Sequence, residues 1–413
     1  MTTLTRAKPN SETSADPARE RLISRPLAFV FLAEFCALTS FDLLISVTPR
    51  YVAATAGSAG AGLVTGMLLL GTVVAELGAS LLMRRYGYRT VLAAGAVLLG
   101  LPVLALLPAG PLAVTVGVSV VRGVGFGLIG VVTGALTAAL LPPARRGEGL
   151  GLFGIVAGLP EVLALPAGVW LAGHYGLALV LGLSAAIALV PLAAVAWLRV
   201  PADSRPAAAS TDVRRPTGLL AALRQGQQRR PALIFAASTV AGGVIVSFLP
   251  LAGLSGNVAA AGLLAQALTA TISRWWAGRH GDRHGHARLL APALAASSLG
   301  MGAMIWLSSP AAAIAAMCLF GAGFGILQNA TLALMIDRMP AIGVGTASAL
   351  WNLAYDAGYG AGPAVFGLLV SHTGYPAGLA LTGVLMIAAL PAARTEQHSA
   401  GENAPRADRR DKD

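Results

Sequence analysis

Apolar stretches of about 20 residues recur from residue 27 to residue 393, separated by short breaks rich in Arg, Gly and Pro. Twelve can be drawn, at 27–48, 60–83, 90–108, 112–141, 150–172, 177–197, 232–254, 259–276, 290–308, 311–335, 345–370 and 376–393. A helix rises about 1.5 Å per residue and the hydrocarbon core of a bilayer is ~30 Å thick, so each run can cross a membrane. The fourth is long enough to protrude. The pattern predicts an all-α membrane protein of twelve transmembrane helices.

Composition closes off the alternatives. Of 413 residues, 56% are hydrophobic and 11% charged, with a mean hydropathy of +0.72. Soluble domains carry about 25% charge. The apolar surface exceeds what one or two globular cores bury, which excludes a soluble enzyme, a disordered chain and a disulfide-rich secreted module. A net charge of +11 would suggest nucleic acid in a soluble protein. Here Lys and Arg cluster between the runs and form no basic face, so no nucleic-acid partner is expected. Cys36 and Cys318 lie inside runs and read as small packing residues. The first run is long for a signal peptide and no small-residue cleavage site follows it, so it reads as the first span.

The cationic clusters set an expected orientation. With the N-terminus inside, 27 of the 29 Lys and Arg are cytoplasmic, counting Arg274 near the inner end of the eighth run among them; only Arg50 falls outside, and Arg122 is the one that lies deep within a run. Both termini are therefore expected to be cytoplasmic, in a plasma or inner membrane. Residues 198–231, with Pro201, Pro206, Pro216 and seven arginines, read as a flexible link between bundles at 27–197 and 232–393. The tails 1–26 and 394–413 read as disordered.

The two bundles are copies of one another. At an offset of 198, Gly123, Gly125, Phe126, Gly127, Thr133 and Pro142 fall on Gly321, Gly323, Phe324, Gly325, Thr331 and Pro340. Arg85 and Gly87 fall on Arg283 and Gly285, and His174 and Gly176 fall on His372 and Gly374. Transporters place their binding site between such repeats, near mid-bilayer.

The loop after the eighth run, Gly278-Arg-His-Gly-Asp282-Arg283-His-Gly285-His-Ala-Arg288, resembles the G-x-L-x-D-R-x-G-R-R signature of the major facilitator superfamily. The loop after the second run, with Arg84, Arg85 and Gly87, is similar to a first copy in which Arg84 replaces the aspartate. Arg122-Gly123 resembles the family's Arg-x-x-Gln-Gly motif, with Arg122 in the Gln place and Ser119 in the Arg place. Gly358, Gly362 and Pro363 resemble the Gly-x-x-x-Gly-Pro motif of antiporter members, which in the family belongs to the fifth helix. The resemblance spans 27–393. It implies two pseudo-symmetric six-helix bundles, points to the drug/proton antiporter branch, and gives the loop residues Arg84, Arg85, Gly87, Asp282, Arg283 and Gly285 a gating role at the cytoplasmic junction.

Apart from Arg274 near the inner end of the eighth run, six charges sit inside runs: Glu34, Asp42, Glu76, Arg122, Glu161 and Asp356. A charge at the bilayer centre costs roughly 2.5–3.5 kcal/mol, or on the order of 15–20 kcal/mol for six, so these side chains must face protein or water. Runs 3, 6, 9 and 12 hold none. In the superfamily those are the peripheral helices. Arg122, Glu161 and Asp356 lie near the midplane, and Arg122 at that depth calls for an anionic partner, with Asp42 and Glu161 available in its own half. A carboxylate that alternates between an apolar site and a guanidinium binds and releases a proton. Asp42, Glu161, Asp356 and Glu34 are the coupling candidates, with Glu76 behind them.

The eleventh run is the most polar and aromatic. Trp351, Tyr355 and Tyr359 follow one another at i,i+4, as do Asn352 and Asp356. Aromatic walls beside one acid suit flat or cationic organic molecules. With Gln328, Asn329 and Arg122, residues Trp351, Asn352 and Tyr355 form the expected substrate cavity. No Gly-x-x-x-x-Gly-Lys-Ser/Thr loop is present, so ATP is not the direct driver. The histidines at 280, 284 and 286 belong to the loop signature, and no metal or other cofactor is expected. The expected function is proton-coupled export of a small organic compound by a monomer in the lipid bilayer. Uptake of a small metabolite such as an organic acid, held by Arg122, is the alternative, and a transport-inactive receptor or scaffold is a more distant one.

Overall fold

A computed structural model describes residues 23–108, 110–141, 145–195, 198, 226–339 and 344–402. Most of the linker and of both tails lies outside these residues. Each of the twelve predicted runs falls on a helix. α1 spans Arg25–Ile45, opened by the Ser24 side chain accepting from Leu27 N and by Pro26 in the first turn. The following helical stretch, Val47–Gly100, is broken at Gly57 and Gly87, giving a continuation of α1 at 47–56, then α2 at 58–86 and α3 at 88–100. Next come α4 (Leu112–Leu140), α5 (Arg146–Tyr175) and α6 (Leu177–Val195). The second bundle holds α7 (Gly226–Phe248), α8 (Gly256–His284), α9 (Ala287–Gly302), α10 (Pro310–Asp337), α11 (Val344–Thr373) and α12 (Tyr375–Ile387). A final helix, α13, covers Leu390–Glu402.

Two boundaries differ from the sequence reading. α7 begins inside the expected linker, and residues 394–402 of the expected disordered tail are helical. The reason lies in contacts that hydropathy does not register. Glu396 is buried and pairs with Arg338 at the end of α10 and with Arg230 of α7. Beside it, the Gln397 amide donates to the Arg288 carbonyl at 2.8 Å.

The offset of 198 seen in the sequence reappears as geometry. A Cβ on Gly123 would meet the Leu68 carbonyl, and one on Gly321 the Gln266 carbonyl. Gly125 lies against Leu99 and Gly95, and Gly323 against Ser297 and Ala293. Each partner is displaced by the same 198 residues, so α4 crosses α2 and α3 as α10 crosses α8 and α9. Glycine is required because these helices approach backbone to backbone. Turn glycines repeat too: Gly87 and Gly285, and Gly176 and Gly374, all have positive φ, the left-handed region that only glycine enters cheaply.

The bundles meet through α2 with α11 and α7, and through α5 with α8, while α3, α6, α9 and α12 pack chiefly within their own half. The end of the molecule away from the termini is sealed. Residues 40–49 at the far end of α1, and 241–250 at the far end of α7, are buried without exception. Between halves, Ser58 Oγ donates to the Gly367 carbonyl at 2.9 Å, and the Thr65 and Ser247 hydroxyls lie 3.1 Å apart. Toward the terminal end the packing thins. In α5 no residue from 151 to 159 is buried, whereas most of 160–169 are.

Candidate functional site

Charged residues from both halves converge between these two ends. Glu161 of α5 pairs with Arg274 of α8 at 3.7 Å, and its carboxylate is also hydrogen-bonded by the Gln266 side chain. Asp42 of α1 is buried and faces Glu161. Tyr355 and Tyr359 of α11 stack on each other and lie within electrostatic reach of Glu161 and Asp42. Proline at 160 and 166 flanks Glu161 in α5, which loosens the helix where the acid must move against its partner.

A second meeting of halves involves two acids. Asp356 of α11 is buried, and its carboxyl group hydrogen-bonds that of Glu76 on α2. Leu77, the next residue of α2, packs against the buried cluster that holds Leu350 of α11, and Trp351 and Ala354 pack against the same cluster.

Alongside runs an aromatic ladder. Phe235 of α7 stacks on Trp351 at 4.4 Å between ring centroids, Trp351 lies 5.9 Å from Tyr355, and Tyr355 stacks on Tyr359 at 5.2 Å. The Trp351 indole N–H donates to Thr331 Oγ1 at 3.1 Å. Four buried polar atoms on α8 and α10 have no hydrogen-bond partner, Gln266 Oε1, Arg274 Nε, Gln328 Oε1 and Asn329 Oδ1, as do four on other elements among the described residues.

A family model described as Major Facilitator Superfamily matches residues 30–361. The chain belongs to the major facilitator superfamily. It is a secondary transporter and not an enzyme. Among solved structures it is similar to the nucleoside transporter NupG, at 12% identity over 91% of this chain and 99% of that one, with a TM-score of 0.72. It is also similar to the xylose transporter XylE from E. coli in an inward-open conformation, at 14% identity over 90% and 94% of the two chains, with a TM-score of 0.65. At these identities the likeness is one of fold. No curated protein sequence matches.

Within this major facilitator fold, the structure brings Asp42, Glu161, Asp356, Trp351 and Tyr355 together and leaves other expected residues apart. Arg122 pairs with no carboxylate among the described residues. Its Nη2 donates to the Ser40 carbonyl at 3.1 Å and its Nε to the Leu99 carbonyl at 3.4 Å, toward α1 and α3. The expectation of an anionic partner is thus corrected: backbone carbonyls supply the acceptors. Glu34 is buried and accepts from Thr133 Oγ1, a contact inside the first bundle. Gln328 is buried, Asn329 sits beside Gly278 of α8, and Asn352 is half-buried on α11.

Among the described residues no ion pair joins the family's signature loops across the junction. Asp282 is exposed and lies 3.7 Å from His286 of its own loop. Arg84, Arg85 and Arg283 are exposed and pair with no carboxylate among the described residues, while Gly87 and Gly285 make the turns. Sequence reasoning missed Arg274, which counts among the cytoplasmic cations although it lies two residues inside the end of the eighth run. A signal was present: Arg274 is the mate of Glu76 at the repeat offset.

Proposed function

We propose that this transporter couples inward proton movement to export of a small organic compound, with the terminal end facing the cytoplasm. The observation that carries the reading is that acids from one half meet their partners on the other half, at Glu161–Arg274 and Glu76–Asp356. Relative movement of the halves, the family's mode of transport, changes the surroundings of those carboxyl groups in every cycle. A carboxyl group moved between an apolar contact and water exchanges its proton. The aromatic ladder beside acids and orphaned amides supports a flat, drug-like or secondary-metabolite substrate. Both halves of the site lie in one chain, which supports a monomer as the working unit. Uptake of an organic acid held by Arg122 is the second reading, since two of the five guanidinium donors already serve backbone carbonyls.

Proteoliposomes containing a pH-sensitive dye test the reading, with ethidium as the planar cationic probe. Wild-type protein is expected to move ethidium only under an imposed pH gradient and to shift internal pH as it does so. Asp356→Asn should abolish the pH signal, and Glu161→Gln and Asp42→Asn should each lower it at least tenfold. Wild-type proton flux in all three variants overturns the coupling assignment. An absence of flux at every gradient, across a wider panel of planar compounds, would favour a transport-inactive receptor.

A further inference from the structure

At the sealed far end a cavity of about 220 Å³ lies between the halves. Arg50, on the continuation of α1, forms one side, and Trp170 and His174 of α5 form the second. Ser255, Gly256 and Asn257, where α8 begins, form the third and belong to the other half. Arg50 reaches across to them: its Nη1 lies 3.9 Å from the place a Cβ on Gly256 would take. The two rings of α5 make a single wall. They stack at 4.5 Å between centroids, and His174 Nδ1 donates to the Trp170 carbonyl at 2.9 Å.

The charge in this cavity has nothing to balance it. Arg50 makes no hydrogen bond or ion pair among the described residues. The segments that line the cavity carry no Asp or Glu from 43 to 75, from 162 to 202 or from 232 to 281. The Ser255 hydroxyl is engaged by Val258 N, whereas the Asn257 amide has no partner among the described residues and offers two more N–H donors. The second repeat keeps the histidine without the rest: His372 is the mate of His174, but Leu368 stands where the first repeat has Trp170. A guanidinium fork matches the oxygens of a carboxylate, sulfonate or phosphate, and an exposed indole face stacks a flat ring. Cavities for drug-sized ligands run to ~300–1,000 Å³, so this smaller one suits a single ring.

We propose that this cavity binds a small aromatic anion from the far-side solution, and that the bound anion holds the far end shut. Arg50 takes the acid group, Trp170 stacks the ring, and the Asn257 amide donates to an oxygen left over. Because the walls belong to both halves, the complete site exists only while the halves meet at this end. A ligand shifts an equilibrium by its difference in affinity for the two states, so this one favours the sealed state and slows the transport cycle. The anion acts as a brake and is not the cargo. Its site shares no residue with the Glu161–Arg274 pair, the Asp356 contact or the aromatic ladder, and it requires neither a coupling ion nor a direction of transport.

Benzoate serves as the probe and uncharged benzamide as its control, with binding to the protein in nanodiscs read by calorimetry. Benzoate is expected to bind and benzamide is not. Arg50→Gln should weaken benzoate at least tenfold, and Trp170→Leu, which copies the second repeat, at least fivefold. Both positions are exposed, so the melting temperature should hold. Arg122→Leu should leave benzoate affinity within twofold, which separates this site from one in the bundle interior. The state preference is read at Thr65→Cys, buried at the seam beside Ser247, in a background without Cys36 and Cys318. Saturating benzoate should lower its rate of labelling by a membrane-impermeant maleimide at least threefold, and should have no such effect once Arg50→Gln is added. Benzoate affinity unchanged in Arg50→Gln overturns the site, as does a failure of benzoate, benzenesulfonate and phenyl phosphate alike to bind. Binding that depends on Arg50 with labelling unchanged overturns the brake. None of these measurements uses transport, so a failure of the proton-coupled reading leaves them intact.

Discussion

Arg122 satisfies a charge in a hydrophobic interior without a counter-ion. The carbonyls of Ser40 and Leu99 accept from its guanidinium, and the Ser184 hydroxyl donates to the same Ser40 carbonyl at 2.9 Å. The guanidinium thereby ties α4 to α1 and α3. At the equivalent crossing of the second bundle a hydroxyl does the same work: Ser297 Oγ donates to the Phe320 carbonyl, and both residues are the mates of Leu99 and Arg122. A structural tie predicts a particular outcome. Arg122→Leu should destabilise the protein by about 1–3 kcal/mol, the usual cost of leaving a buried polar group unmatched, visible as a lower melting temperature. The KM for a transported probe should stay within twofold. A tenfold rise in KM at unchanged melting temperature would place the guanidinium on the substrate instead. Counting along the run places Arg122 part-way down its helix but does not give its bearing around that helix, and the bearing decides whether a charge in a span meets carbonyls or a cavity. Asp42, Glu161 and Asp356 were legible because a carboxylate deep in an apolar run must turn toward protein or water. Arg274 was not, because a long side chain near a run's end can as well reach the membrane surface as turn inward.

At the scale of elements, the twelve runs and their order were legible from hydropathy, because each helix must supply its own backbone hydrogen bonds in lipid. The close crossings were legible only as repeated glycines. Their meaning is clearest where α2 meets α11. A Cβ on Gly62 would stand 2.1 Å from the Pro363 carbonyl oxygen, and on the facing side a Cβ on Gly367 would stand 2.4 Å from the Ser58 carbonyl. Distances under 3 Å cannot be kept, so the helices would have to separate. Gly62→Val should therefore prevent closure of the far end and shift the protein toward the opposite state. A cysteine at position 65 reports this, since Thr65 is only 2% exposed at the seam between α2 and α7. In a background lacking Cys36 and Cys318, Thr65→Cys should resist a membrane-impermeant maleimide, and adding Gly62→Val should raise the labelling rate at least tenfold. Unchanged labelling would mean that the seam tolerates the extra bulk.

For the whole molecule, the sealed far end, the thin packing toward the termini and the unlatched signature loops describe one state of a two-state device. Because the halves are copies related by a pseudo-two-fold axis, the opposite state is reached by rotating one half against the other. Such a rotation must break the Thr65–Ser247 contact, which joins α2 to α7 across the halves with its hydroxyls 3.1 Å apart. The separation is close enough for a disulfide after modest side-chain adjustment. Thr65→Cys with Ser247→Cys, in a background without Cys36 and Cys318, should therefore cross-link under a permeant oxidant and hold the far end shut. Each single cysteine should transport at a rate within threefold of the cysteine-free parent, and so should the reduced double variant. The oxidised double variant should lose probe transport, with reductant restoring it, while still binding a probe added from the terminal side. Loss of transport with binding retained is what a locked gate gives and a damaged site does not. Full transport by the cross-linked protein would show that the far end does not open at this seam, and that the movement of the halves takes another route.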